Sequence, residues 1–278
     1  MTDARTLLRQ LESTARKRFG QHFLEDAGIV SRIVRGARLE PGDHVVEIGP
    51  GLGVLTRALL AEDVRVTAVE LDRDLAAYLR GALPDLHLIE GDAAKVDWST
   101  VVEPGAKVVA NLPYNVGTTV VMQLLRSGRF ASITVMLQKE VVDRLMAQPG
   151  TRAYGALTVE AAAWARPVFV AAVPPGSFHP PPKVQSAVVR LDVHADGPHT
   201  GPVDPVAFDR IVRGAFAKRR KTLVNSLSDR VPKVQIAAAL EELGLDPRIR
   251  GEALSFPEFV QLATVLDGHR GAKDDRTG

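Results

Sequence analysis

Cysteine is absent from the 278-residue chain. Disulfides, thiolate nucleophiles, iron–sulfur clusters and cysteine-based zinc sites are therefore excluded together. A metal would have to rest on the 7 histidines and the carboxylates. His194 and His199 fall in a Gly/Pro-rich stretch and no HExxH-type pairing occurs, so no metal centre is expected. Aromatic residues make up only 5% of the chain, which argues against a broad platform for stacking single-stranded bases. Long apolar runs are missing as well. None approaches the roughly 18 residues of a membrane span, and no basic–apolar leader opens the chain. A cytoplasmic protein with no membrane partner is the expectation.

Net charge is small, +2 from 35 basic and 33 acidic residues, but it is unevenly distributed. Residues 40–100 hold 5 basic and 12 acidic residues, whereas residues 205–235 hold 8 basic and 2 acidic. Such asymmetry predicts a polyanion-binding region joined to something else. Apolar, β-branched runs predict strands at His44–Gly49, Arg65–Leu71, Leu86–Glu90, Lys107–Asn111, Ser132–Leu137, Val168–Val173 and Ala187–Val193. Helical patterns separate the first five, at Val54–Ala61, Arg73–Ala82 and Thr118–Arg126 among others. This alternation predicts an α/β domain over residues 1–194 with a mostly parallel, seven-stranded sheet and a short extension at 1–15. The last two strands, joined by a Pro-rich loop too short for a crossover helix, are expected to pair antiparallel.

The stretch Ala195–Pro205 has linker composition. Beyond it the pattern is helical only, at Val206–Ala217, Arg219–Leu227, Val234–Leu243 and Pro257–Leu266. A small all-helical domain over 203–267 and a disordered polar tail at 268–278 are expected.

The first strand runs into Glu47-Ile48-Gly49-Pro50-Gly51-Leu52-Gly53. Glycines there let the chain turn sharply and let a ligand approach the backbone. The GxGxG spacing lacks the extra residue of the dinucleotide GxGxxG, which carries a pyrophosphate onto the helix N-terminus. That favours a cofactor without phosphates, of which S-adenosylmethionine is the common one. Glu70 ends the second strand, where a carboxylate can accept both ribose hydroxyls, and Asp92 ends the third, where it can accept from an adenine amino group. Ligands of open α/β sheets bind at such carboxyl ends.

The fourth strand ends in Asn111-Leu112-Pro113-Tyr114. The exocyclic amine of adenine is a poor nucleophile because its lone pair is delocalised into the ring. Transfer of a methyl group to it requires the nitrogen to pyramidalise and gain positive charge. Carbonyl acceptors aimed at its two protons, from Asn111 and the Leu112 backbone, stabilise that change. Pro113 stiffens the loop and Tyr114 can stack on an extruded base. The blander reading of the tetrapeptide is an ordinary strand-end turn.

Several motifs occur in order: RKRFGQHFL at 16–24, EIGPGLG, Val69-Glu70-Leu71-Asp72, NLPYN, MLQKEVV at 136–142 and SFHPPPKV at 177–184. Together they resemble the ribosomal RNA adenine N6-dimethyltransferase family, in particular its bacterial small-subunit branch, over about residues 16–266. The resemblance implies a Rossmann-like methyltransferase domain followed by the helical domain, S-adenosylmethionine as cofactor, and a hairpin loop near the 3′ end of 16S rRNA as target. Two adjacent adenosines there would be dimethylated on N6 within an immature small ribosomal subunit, by a protein expected to be monomeric. Carried over position by position, the resemblance puts the cofactor against His22, Leu24, Gly49, Gly51, Glu70, Asp92 and Asn111. His22 stands where family members often carry Asn; an imidazole still offers one donor or acceptor. Phe178 would sandwich the target base with Tyr114, its alternative being core packing.

RNA phosphates need cations, which the acidic half offers sparsely. Arg16, Lys17, Arg18, Arg213, Lys218, Arg219, Arg220 and Lys221 are the candidates. Rival readings are a large-subunit 23S adenine dimethyltransferase, a non-catalytic RNA-binding assembly factor and a DNA adenine methyltransferase.

Overall fold

The computed structural model describes residues 22–274. The chain divides into two compact units, one of Met1–Val142 with Pro167–Ala195 and the other of Asp143–Arg166 with Asp196–Gly278.

The first unit is built on a seven-stranded sheet. Its strands are β2 (His44–Ile48), β3 (Arg65–Glu70), β4 (His87–Glu90), β5 (Ala106–Asn111), β6 (Phe130–Gln138), β7 (Ala165–Val173) and β9 (Ser186–Val193). Their order across the sheet is β4-β3-β2-β5-β6-β9-β7. The run from β4 to β6 is parallel and β9 is antiparallel to β6. Each expected strand occurs within three residues of its expected bounds. Parallel strands buried on both faces read as continuous apolar runs, and Val45, Val46, Val108, Val109, Ile133 and Val135 are fully buried.

Helices α1 (Ala27–Ala37), α2 (Val54–Leu60), α3 (Arg73–Ala82) and α4 (Gly117–Arg126) belong to this unit. Asp26 caps α1 by accepting from the amides of Gly28 and Ile29, and Asp72 caps α3 through those of Asp74 and Leu75. The stripe Ile29, Val30, Ile33, Val34, Ala37 turns α1 into the core. A separate two-stranded ribbon pairs β1 (Phe23–Leu24) antiparallel with β8 (Phe178–His179). Neither strand has enough residues for a periodic signal, and the sequence reading contains no trace of the ribbon.

The chain leaves the first unit within α5 (Lys139–Leu145). The second unit comprises α6 (Ala156–Ala162), α7 (Pro205–Phe216), α8 (Leu223–Leu227), α9 (Lys233–Glu242) and α10 (Phe256–Asp274). Its core gathers Phe208, Leu227, Leu240 and Phe259 with Tyr154 and Val159 from the earlier segment. Three expectations need correction. Residues 143–166 group with the helical unit, not with the sheet; five consecutive α6 residues, Leu157 to Ala161, are buried there. Helix α8 begins at Leu223, which leaves Lys218 to Lys221 on a turn; a run of cations at a helix start would meet the positive end of its dipole. Helix α10 runs on to Asp274, so 268–274 is helical where a disordered tail was expected. Once a helix is docked, each further residue adds a hydrogen bond without a new nucleation cost. Among the described residues no helix is long and apolar enough to cross a membrane.

Candidate active site

The carboxyl ends of β2, β3, β4 and β5 meet at one edge of the sheet and are tied to one another by the backbone. The Gly49 amide donates to Val69 at 2.9 Å and Gly91 to Glu70 at 2.8 Å, while Leu112 ties the end of β5 to Met136 of β6 at 3.3 Å. Gly49, Gly51 and Gly53 take φ of +68°, +58° and +76°. A side chain at any of the three would be strained, and a Cβ on Gly53 would also press Leu79 at 3.1 Å. The turn thus requires glycine for its backbone as well as for access.

Two cavities open beside this turn. The first, of about 820 Å³ including space open to solvent, is lined by His22, Leu24, Gly49, Gly51, Glu70, Asn111, Leu112, Pro113, Tyr114 and Phe178, together with Glu47. The second, of about 710 Å³ including space open to solvent, is also lined by Gly49, Glu70, Leu112 and Pro113, and by Asp92, Leu71 and Val116. Every described candidate for cofactor or catalysis therefore lies on one of two adjoining cavities, with Glu70 on both.

Glu70 is buried, and its two oxygens accept from the amides of Gly51 at 3.2 Å and Asp72 at 2.9 Å. Burial pushes its pKa above the usual carboxylate range, and those amides oppose the shift. Asp92 accepts from the Ala94 amide at 3.0 Å and keeps its second oxygen 3.8 Å from Lys95 Nζ. His22 Nδ1 donates to the Pro180 carbonyl at 2.7 Å, an assignment that follows because a carbonyl only accepts. In the neutral ring Nε2 is then the acceptor, as the amide oxygen of an Asn would be. Tyr114 lies 5.8 Å from the His22 ring, and its hydroxyl meets Ser186 Oγ at 2.6 Å. Phe178 lines the same cavity as Tyr114, yet it is only 4% exposed and packs with the sheet core.

Sequence reasoning left three site residues out. Glu47 was visible as the acid preceding the glycines but received no role. Leu71 and Val116, 54% and 40% exposed on the second cavity, are apolar side chains facing solvent beside Asp92. Their signal is their exposure, which only the fold reveals.

The basic candidates fare unevenly. Arg213 donates to buried Glu160 through two nitrogens, at 2.7 and 3.0 Å, and so links α7 to α6. Lys218 pairs with Asp229 at 2.7 Å, and Arg219 donates to the Arg152 carbonyl at 2.7 Å. Arg220 and Lys221 are exposed on the turn. Arg16, Lys17 and Arg18 lie outside the described residues.

The donor set suits a cationic cofactor without phosphates. Among the described residues, carboxyls line the first cavity and no Lys or Arg does, and the glycine turn exposes backbone beside them. The fold and this chemistry agree with what the chain resembles. It is 45% identical to the ribosomal RNA small subunit methyltransferase A of Acinetobacter baylyi over 258 residues, covering 91% of this chain and 92% of that one. Identity to the protein of that name from Vibrio cholerae is also 45%, over 260 residues, with 91% and 94% covered. Among solved structures, a dimethyladenosine transferase from Plasmodium falciparum superposes with a TM-score of 0.74 at 27% identity, over 87% of this chain and 96% of that one. The 23S rRNA methyltransferase ErmE superposes at 0.66 with 28% identity, over 88% and 99%. The family model for ribosomal RNA adenine dimethylase matches residues 12–267. By sheet order, site chemistry and this match, the chain belongs to the ribosomal RNA adenine dimethylase family.

Proposed function

We propose that the protein uses S-adenosylmethionine to dimethylate N6 of two adjacent adenosines in a hairpin loop near the 3′ end of 16S rRNA during small-subunit assembly. The observation that carries this reading is the convergence of Asn111, Leu112, Pro113 and Tyr114 with Glu70 and the glycine turn on one cavity. The cofactor would be held by the Gly49–Gly53 backbone, Glu70, Asp92, His22 and Leu24. When bound, it supplies an electrophilic methyl group whose bond to sulfur breaks as the bond to nitrogen forms.

The chain's part is to prepare the nitrogen. The Asn111 side-chain oxygen and the Leu112 carbonyl accept from the two N6 protons and stabilise the positive charge that grows there. Tyr114 supplies the stacking surface for the flipped base, and the Ser186 hydroxyl fixes its outer end. After the first methyl only one N6 proton remains, so one acceptor loses its partner before the second transfer. Arg220 and Lys221, with the more tightly paired Lys218, Arg219 and Arg213, contact RNA phosphates from the helical unit.

The identity of about 45% to proteins named for the small subunit, against 28% to the 23S enzyme, favours the 16S target. Incubating unmethylated 30S particles with the protein and S-adenosylmethionine, followed by mass spectrometry of rRNA fragments, tests it. The expected product is two adjacent dimethyladenosines near the 3′ end. Methylation confined to 23S rRNA would overturn the substrate assignment. Asn111→Ala is expected to abolish transfer with cofactor binding largely kept, and wild-type turnover in that variant would overturn the mechanism.

A further inference from the structure

Glu47, at the end of β2, is 2% exposed and lines the first cavity. Its Oε2 has no hydrogen-bond partner. Buried carboxyl groups are ordinarily paired, because an isolated ionised one is very costly in an apolar interior. The surrounding groups offer it little. Glu70 on β3 brings a second acid whose oxygens are already held by backbone amides. Thr56 on α2 is buried with its own hydroxyl unpaired. His22, Asn111 and Tyr114 complete the polar wall, and among the described residues no Lys or Arg lines the cavity. Arg57 of α2 donates to the carbonyls of Leu52 and Gly53. Among the described residues, two carboxyl groups thus share a cavity lined by no cation.

We propose that Glu47 is the proton-linked counter-charge of the cofactor: it gives up its proton when cationic S-adenosylmethionine enters and regains one when neutral S-adenosylhomocysteine is left. This rests on the function proposed above. S-Adenosylmethionine carries a sulfonium, an ammonium and a carboxylate, net +1. The product keeps only the last two, net zero, and their fields partly cancel. In a poorly solvated cavity a net charge a few ångströms away dominates the ionisation of a buried acid. Burial, opposed by the nearby Thr56 hydroxyl and aided by the charge of Glu70, pushes Glu47 up to about 8, so the ligand-free group is mostly protonated at neutral pH. The protons balance: one leaves Glu47 on cofactor binding, one leaves N6 on methylation, and one returns to Glu47. A cycle releases one proton, as the chemistry requires.

Calorimetric titration of the intact protein at pH 7, in buffers of different ionisation enthalpy, counts these protons. Close to one proton should be released per S-adenosylmethionine bound, and far less per S-adenosylhomocysteine. In Glu47→Gln the release should vanish. The ratio of wild-type to variant affinity for S-adenosylmethionine should rise about tenfold from pH 7 to pH 9, as one pKa unit of prior protonation is relieved. Equal release with both ligands, no release in the wild type, or release surviving in Glu47→Gln would each overturn the proposal. The wild-type count does not depend on the variant folding. Absence of any binding of S-adenosylmethionine would instead overturn the function on which the proposal stands.

Discussion

Tyr114 is anchored at one end by Ser186 and flanked along its ring by His22. Burial pushes its hydroxyl above the ordinary phenol range while the Ser186 contact opposes the shift, so the ring stays neutral at working pH. The stacking proposed for its ring and any role of its hydroxyl are separable. Tyr114→Ala removes the surface, which for base–aromatic stacking is worth about 1–3 kcal/mol, and should lower kcat/KM on 30S particles by about 5- to 150-fold. Tyr114→Phe and Ser186→Ala keep the ring and free only its outer end, and the loss in each should stay below about tenfold. Equal losses in the three variants would show that the hydroxyl, not the ring, matters.

At the level of elements, the site was legible where a rule of backbone or topology acts. Glycines at positive φ have to be glycines, so the turn announces itself. Acids at the ends of successive parallel strands fall on one edge, so Glu70 and Asp92 could be placed before any coordinates. The remainder depends on contacts that no local pattern encodes. Tyr114 and Ser186 are 72 positions apart, and His22 and Pro180 are 158 apart. The β1–β8 ribbon, which sets His22, Leu24 and Phe178 around the same cavity, joins residues that share no periodicity. Phe178 shows the limit well: the sequence could only weigh stacking against packing, and the fold packs the ring into the sheet core at the wall of the cavity. The transfer of 143–166 to the helical unit was equally hidden, since burial of α6 leaves no shift in composition. That segment is also where the helical unit is most open to test. Tyr154, buried and pushed up to about 12 by burial and the charge of Glu258, donates to the Leu254 carbonyl at 2.8 Å. Tyr154→Phe leaves that carbonyl without its donor and should cost about 1–2 kcal/mol in denaturant unfolding, with methyl transfer at permissive temperature unchanged.

For the molecule as a whole, the near-neutral total conceals a division of labour between an acidic region that carries the glycine turn and a basic stretch in the helical unit. Pairing refines that division. Lys218 and Arg219 spend charge on neighbours, whereas Arg220 and Lys221 stand exposed on the turn. Arg220→Ala and Lys221→Ala should each reduce the slope of log affinity against log salt by about 1 for the RNA substrate. Lys218→Ala should change the slope less, because its ammonium is already paired with Asp229 and neutralises less phosphate charge. Fluorescence anisotropy between 50 and 200 mM salt, the range over which phosphate contacts are lost, would read the difference. The divided origin of the helical unit has a further consequence, in the order of synthesis. Tyr154 and Val159 emerge from the ribosome long before Phe208, Leu240 and Phe259, the residues they pack with. Until those arrive the nascent chain carries an apolar helix with nothing to cover it, and a protein stopped after Ala195 would keep that helix bare for its lifetime. Such a fragment is expected to aggregate, so the sheet cannot be isolated simply by trimming the end of the chain.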